Sequence, residues 1–336
     1  MNLPPWQKGD ESDIVFWVSS EFRRNLSGFP FGTRLTGTGL KDIAERIQDA
    51  FKEQDDIFPV ESIPPRGRKI LRDAALLDGF QPGDRRLFCM DNASWRWCTA
   101  LGTEHLSICS RAAGLSVETS LASALAWEES LEQQLDFAFS LDLGYLLSDI
   151  GASGNALFHQ ALVFLPALGW SENREAIFRS LMKEGYSVHG IITGNDEEGG
   201  ELFEVGTELS LGMGEEESAN KFAHMLRLLV HYERKARENL DENLEFSLKD
   251  RVYRSYGLLA SAERLSYLES KDALLALILG ISLGLYDSMP EKLYELFWLT
   301  GDANLRNNGS EHPELTRAGF IRESLGIDRI IGGKDV

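Results

Sequence analysis

The sequence predicts an α+β domain followed by a helical one, on three observations. Apolar and alternating runs of strand length recur through the first 245 residues. Segments with apolar residues at three- and four-residue spacing interleave with them. Beyond residue 246 the strand signal stops and only helical periodicity continues. We therefore expect an α+β domain over residues 1–245 and a helical C-terminal domain over 246–336.

Taken in order, residues 13–20 read as a buried strand, followed by the adjacent Arg23 and Arg24 and an aromatic–proline turn. Two neighbouring arginines at the end of a buried strand ask for an anion, because a desolvated guanidinium is costly unless paired. Gly39–Gln54 carries Ile43, Ile47, Ala50 and Phe51 on one helical face. Pro- and Gly-punctuated stretches at 59–67 and 78–86 bracket a short helix or strand near Ile70–Leu77. Arg86–Ser110 alternates like one or two antiparallel strands with a turn at Asp91–Asn92, and Ser116–Ser140 reads as a long helix. Tyr186–Thr193 and Leu202–Gly212 read as strands on either side of an acidic, glycine-rich loop, Gly194–Glu201. A long helix follows over Glu215–Leu240, with Phe222, Met225, Leu226, Leu229 and Ala236 in one stripe and acids in its first turn. The last helix has Pro313 near its start and Gly326 past its end.

Composition narrows the function classes. The formal charge is −19 and there is no dense Lys/Arg stripe, so nucleic acid is not expected as a direct ligand. Acidity of this size suits basic partners and solubility alike. No apolar run is long enough to span a membrane; Asp272–Leu285 is too short and reads as a buried helix. The first residues lack the basic-then-apolar pattern of a secretory signal. Cys89, Cys98 and Cys109 have neither zinc-ribbon nor redox-pair spacing. The expected compartment is the cytoplasm, with reduced thiols.

The six histidines, His105, His159, His189, His224, His231 and His312, show no ligand spacing, so no metal site is expected. Thr36–Asp42, "TGTGLKD", sets two glycines before a helix but lacks the remaining signature of a phosphate loop. Gly151–Gln160 is a second small-residue loop. Asp196, Glu197 and Glu198 lack calcium-loop spacing. The residues alone stop at an α+β protein with a helical end.

Several segments, in the same order and at similar spacing, carry a resemblance. They include "LKDRVYRSYGLL" (248–259), "ESDIV" with the following "SS" (11–20), "NLSGFPF" (25–31), "EHL" (104–106) and "GYLLS" (144–148). Further on come "LPAL" (165–168), "HGI" (189–191), "LSLG" (209–212) and "RAGFIRESL" (317–325). Together they resemble the guanidino (phosphagen) kinases, most closely the bacterial protein-arginine kinases of the McsB type. The resemblance implies an antiparallel sheet flanked by helices, the catalytic fold shared with glutamine synthetase, plus a C-terminal helical domain. It also implies transfer of the terminal phosphoryl group of ATP to a guanidinium, with Mg2+ required. Such chemistry is mostly positioning and charge neutralisation.

Set against the family's segments, the chemistry-bearing positions are altered. The family's Ser-Ser-Arg-x-Arg, whose arginines grip ATP phosphates, reads Ser19-Ser20-Glu21-Phe22-Arg23 here. Arg23, Arg24 and His189, the last at the place of a further arginine, form the expected remnant of a nucleotide site. In "LGTEHLS" (101–107) Glu104 and His105 match the family. Gly102 and Thr103 stand where paired glutamates belong, and Ser107 replaces a phosphate-binding arginine. In "DIGASGNALF" (149–158) Asp149 replaces a cysteine and Phe158 an arginine. The loop glutamate falls near Gly194, with Asp196, Glu197 or Glu198 as stand-ins. The expected vestigial catalytic residues are therefore Glu104, His105 and Glu197. Losing a single neutralising arginine can cost on the order of 10³–10⁵ in rate. The expectation is an impaired pseudokinase that binds or regulates; the alternative is an active protein-arginine kinase with a divergent site.

In the C-terminal domain the family's phosphoarginine-binding Arg-Asp-x-x-Arg-Ala corresponds to "PELTRA" (313–318), which points to Glu314 and Arg317. The competing reading puts Arg317 and Arg322 on a solvated helix face. The resemblance further implies arginine-containing or arginine-phosphorylated protein partners, a zinc-finger activator and a Clp-type protease chaperone. It also implies a homodimer through the C-terminal helices, for which Tyr253–Tyr256 and Leu274–Leu285 supply apolar surface.

Overall fold

Val15, Phe16, Trp17 and Val18 are all nearly inaccessible, so the strand they begin must be covered on both faces. This strand, β1 (Val15–Arg24), is four residues longer at its C-terminal end than its apolar run, and both arginines lie within it. The register to its neighbour shifts between Val15 and Trp17. The resulting bulge puts Phe16 and Trp17 in one core, while Val15 and Val18 enter another. The computed structural model describes residues 9–34, 37–52, 57–77, 83–91, 95–191, 200–208, 212–240, 242–286, 293–307 and 309–327.

The elements that follow are α1 (Gly37–Phe51), β2 (Phe58–Pro59), α2 (Pro65–Asp73), β3 (Leu87–Met90), β4 (Arg96–Ala100), β5 (Leu106–Ala113) and α3 (Val117–Glu132). A small hairpin, β6 (Phe139–Ser140) and β7 (Gly144–Tyr145), leads to β8 (Leu157–Phe164), α4 (Pro166–Gly169), α5 (Arg174–Lys183), β9 (Tyr186–Ile191) and β10 (Leu202–Thr207). Helices complete the chain: α6 (Glu215–Glu238), α7 (Glu242–Ser261), α8 (Tyr267–Ser282), α9 (Leu293–Leu299), α10 (Asp302–Asn307) and α11 (Pro313–Leu325). Eight strands form one sheet in the order β2-β3-β4-β5-β1-β8-β10-β9, and every pairing is antiparallel. The expected antiparallel sheet flanked by helices is thus present.

Several elements differ from expectation. Arg86–Ser110 makes three strands rather than one or two, and half of its expected turn, Asn92, lies outside the described residues. Near Ile70 a helix forms that starts earlier, at Pro65, which supplies a fixed φ where no N–H is needed. The long helix ends at Glu132 rather than running to Ser140. Strand β8 was not anticipated, because its apolar run lacks alternation.

Side chains alternate across the sheet, so each face has its own cover. On one face, Phe22, Cys98, Leu106, Ile108 and Leu157 meet α1 and α3, and Ala161, Val163, Phe203 and Val205 meet α5 and α6. On the opposite face α2 covers Phe88, Met90, Trp97 and Cys109. There too, α7, α8, α9 and α11 cover Phe16, Trp17, Leu162, Phe164 and Leu202. Arg251, inside the most family-like segment, ties these helices to the sheet through Glu201 (2.5 Å) and joins Asp272 (2.7 Å). Ala273–Leu279 is fully enclosed in this shared core, so that part of the stretch expected as dimer surface is interior. Among the described residues no helix is long and apolar enough to cross a membrane.

Candidate functional site

Between the two covers on that opposite face, β1 presents Glu21 and Arg23. Cross-strand register sets Cys109 and Phe158 on either side of Glu21 and Ser107 beside Arg23. The Arg23 Nη2 donates to Glu21 Oε2 at 2.7 Å, and the guanidinium lies 4.2 Å from the centre of the Phe158 ring. Burial would lower the Arg23 pKa, but the charge and hydrogen bond of Glu21 outweigh it and raise the value. The anion that Arg23 meets is therefore its own neighbour's carboxylate, two residues back.

Arg24 points to the other side, as strand alternation requires. It is fully enclosed, donates from Nε to Glu128 Oε1 at 2.7 Å, and reaches the carbonyls of Arg23 and Asn155. The Tyr145 ring stacks 3.6 Å away. Arg24 is thus a strut between β1 and α3, not a ligand on the open face, which corrects its assignment to a nucleotide remnant. Glu128 was missed in the sequence. The available signal was its place on the buried stripe with Ala124, Trp127 and Leu131.

Glu104 and His105 are also committed inward. The Glu104 carboxylate accepts from Ser148 N (3.1 Å) and Ser148 Oγ (3.0 Å), and from Asn25 Nδ2. His105 Nδ1 accepts from Leu26 N–H at 3.0 Å, so Nε2 carries the proton and donates to the Pro30 carbonyl at 3.1 Å. Burial lowers the His105 pKa, against the opposing pull of the Pro30 bond and Glu104. These residues hold the Asn25–Phe31 turn in place rather than facing a substrate. Asp149 likewise works locally, accepting from Gly151 N–H at 2.9 Å.

His189 is exposed on edge strand β9, three strands from Arg23 and opposite Glu204. Glu197, with Asp196 and Glu198, lies outside the described residues. A further face residue, Arg111, stacks 4.0 Å from the Trp17 ring and donates to the carbonyls of Ala74 (2.7 Å) and Ala75 (2.9 Å). Burial pushes its pKa down to about 9. No group of three or more His, Cys, Asp or Glu that could hold a metal exists among the described residues.

In the C-terminal helices Arg317 is fully enclosed. Its Nε donates to the Thr300 carbonyl and Nη1 to the Leu265 carbonyl, both at 2.7 Å, and Nη2 pairs with Asp302. Glu314 is exposed on the same helix. Neither reading of Arg317 made from the sequence holds: it is fully enclosed rather than on a solvated face, and its Nε, Nη1 and Nη2 are directed at the Thr300 and Leu265 carbonyls and Asp302 rather than outward.

Residues 45–236 match the family model "ATP:guanido phosphotransferase, C-terminal catalytic domain", and residues 245–330 match "Protein-arginine kinase McsB C-terminal domain". The protein-arginine kinase of Bacillus mycoides (strain KBAB4) is 29% identical over 343 residues, covering 97% of each chain. That of Bacillus cereus (strain AH820) is 28% identical with the same coverage. Among solved structures, lombricine kinase superposes with a TM-score of 0.61 at 15% identity, covering 72% of each chain. A duplicated taurocyamine kinase from Schistosoma mansoni gives 0.57 at 17% identity, over 70% of this chain and 34% of the other. At such identities these two structures speak for the fold.

Proposed function

Because the chain belongs to the ATP:guanido phosphotransferase family and carries the C-terminal domain of its protein-arginine kinases, we propose that it is an impaired kinase. In this reading it keeps the fold and acts as a binding or regulatory protein in protein-arginine phosphorylation and protein quality control. One observation carries the proposal: Arg23, the arginine best placed to meet a phosphate, is already neutralised by Glu21 at 2.7 Å. A triphosphate approaching it meets the carboxylate as well. Two like unit charges about 4 Å apart repel by about 4 kcal/mol at an effective dielectric of 20. Phe158 adds an apolar ring where the family's pattern has a further cation.

In this reading the Glu21–Arg23 pair and the Phe158 ring make the described residues of the open face a poor match for ATP with magnesium. Arginine-containing or arginine-phosphorylated proteins remain the proposed partners, with a zinc-finger activator and a Clp-type chaperone as candidates within the same system.

Incubation with MgATP and an arginine-rich acceptor protein, read for phosphoarginine by mass spectrometry, is expected to give no product above the acceptor alone. Robust turnover would sink the proposal in favour of an active, divergent kinase. In parallel, millimolar MgATP is expected to leave the melting temperature unchanged, since a ligand at free concentration L stabilises by RT ln(1 + L/Kd) and adds nothing while L stays far below Kd.

A further inference from the structure

A slot of about 1190 Å³ runs between α5 and α6, on the sheet face opposite to Glu21 and Arg23. Its walls are two helical stripes. Asn173, Ala176, Ile177, Ser180, Leu181 and Glu184 line it at spacings of three and four along α5 and its caps. From α6, Glu217, Lys221, Met225, Leu228 and Tyr232 do the same. Each helix thus turns one face toward the gap, and that face mixes polar residues with the apolar Ile177, Leu181, Met225, Leu228 and Leu229. Leu228 and Tyr232 are 38% and 40% exposed there, although the rest of the α6 apolar stripe, including Phe222 and Leu226, is buried on the sheet.

The polarity of the slot runs along its length. Glu184 caps α5 beside Tyr186, and Tyr186 packs 6.3 Å from Phe222 in the first half of α6. Glu184, Glu216 and Glu217 therefore gather at one end, where the lining holds a single ammonium, Lys221, already paired with Glu217 at 2.7 Å. Leu228 and Tyr232 lie at the other end. The lined part of α6 is about 22 Å long at 1.5 Å per residue, which matches roughly four turns of a third helix.

We propose that this slot docks an amphipathic helix of a partner protein, with apolar residues at i, i+3, i+4 and i+7 and Lys or Arg at the end that meets the three glutamates. The apolar anchors enter between Leu181, Met225 and Leu228, and the basic end completes the charge of Glu184 and Glu216. The slot lies behind the sheet, so the docking does not depend on the state of the open face.

The test uses the full chain and a fluorescein-labelled synthetic helix of about 15 residues, built from Leu, Ala and Lys with the lysines at one end. Anisotropy is expected to report saturable binding. A Leu228→Ser/Tyr232→Ser double variant is expected to weaken it at least tenfold, and Glu184→Gln/Glu216→Gln at least threefold with a shallower salt dependence. Circular dichroism melts keep both variants interpretable, and Leu228→Ser alone serves if the double variant melts early. Equal binding of a scrambled peptide of the same composition, or no loss in the Leu228 variants, overturns the proposal. So does absence of binding, and so does a homodimer in sedimentation that Leu228→Ser dissociates, because then a second copy fills the slot.

Discussion

At the scale of single residues, the pair of arginines resolves into two unlike side chains because a strand sends neighbours to opposite faces. Arg23 sits in a half-open ion pair, with Glu21 and Arg23 side chains 23% and 36% exposed. Pairs of that kind are worth about 0.2–1 kcal/mol. Glu21→Gln should therefore leave the fold intact, and removing a repulsion of up to about 4 kcal/mol should tighten binding of inorganic triphosphate at least tenfold in low-salt calorimetry. An unchanged affinity would show that Glu21 does not hold Arg23 from anions. On the hidden face, His159 accepts no solvent. Its Nδ1 lies 3.0 Å from Ser20 Oγ, its ring stacks 5.4 Å from Phe222, and burial pushes its pKa down to about 4. The unfolded chain takes up that proton as pH falls through about 6.5, while the native state waits until about 4, so stability is complete above about 6.5 and declines below it. His105, lowered in the same direction, adds to the decline. Urea unfolding at pH 7, 6 and 5 should show the loss, at up to about 1.4 kcal/mol per pH unit for each proton. His159→Phe, which keeps the stacked ring, should flatten it by about one proton.

At the scale of elements, buried ions fasten helices to strands. Arg24 joins α3 to β1 through Glu128, and Arg317 on α11 joins the Thr300 carbonyl after α9 and the Leu265 carbonyl before α8 to Asp302. Removing one partner of such a pair leaves the other charge buried, at a cost of about 3–5 kcal/mol. Arg24→Met is expected to lose that much in urea titrations, and Arg24→Met with Glu128→Leu to recover most of it; a double variant as unstable as the single would refute the pairing as the cause. The sequence made much of this level legible. The α1 face at Ile43, Ile47, Ala50 and Phe51 is buried as periodicity requires. Gly326 takes the left-handed conformation, φ 63°, that ends α11. What stayed hidden has a common cause: it depends on contacts distant in sequence. The bulge at Phe16 breaks alternation, β8 is apolar on both faces, and Glu128 looks like a surface residue until Arg24 arrives from 104 positions away. The same holds for the candidate site. Its altered positions could be read from the motifs, but which way Glu104, His105 and Arg317 point could not.

At the scale of the whole molecule, the C-terminal helices and the sheet share one core. Phe16, Trp17, Leu162, Phe164 and Leu202 belong to strands, yet they are buried by α7, α8, α9 and α11. Arg251 and Trp170 both reach Glu201, which fixes the first of these helices to the start of β10. Arg66 on α2 donates to the Arg306 carbonyl on α10, so the contact is repeated at the other end of that face. Fully burying a large apolar side chain contributes about 1.5–3 kcal/mol, so five of them supply about 7–15 kcal/mol. That equals the net stability of a typical domain, about 5–15 kcal/mol. The sheet cannot lose these helices and remain folded. A fragment of residues 1–245 should therefore be insoluble or bind hydrophobic dyes. The full chain should melt in one calorimetric transition whose van't Hoff and calorimetric enthalpies agree. Two resolved transitions, with the first assigned to the helices by hydrogen exchange, would mean that the shared core is too weak to couple them. In a single cooperative unit, a ligand that binds only the helices must also raise the stability of the sheet against unfolding.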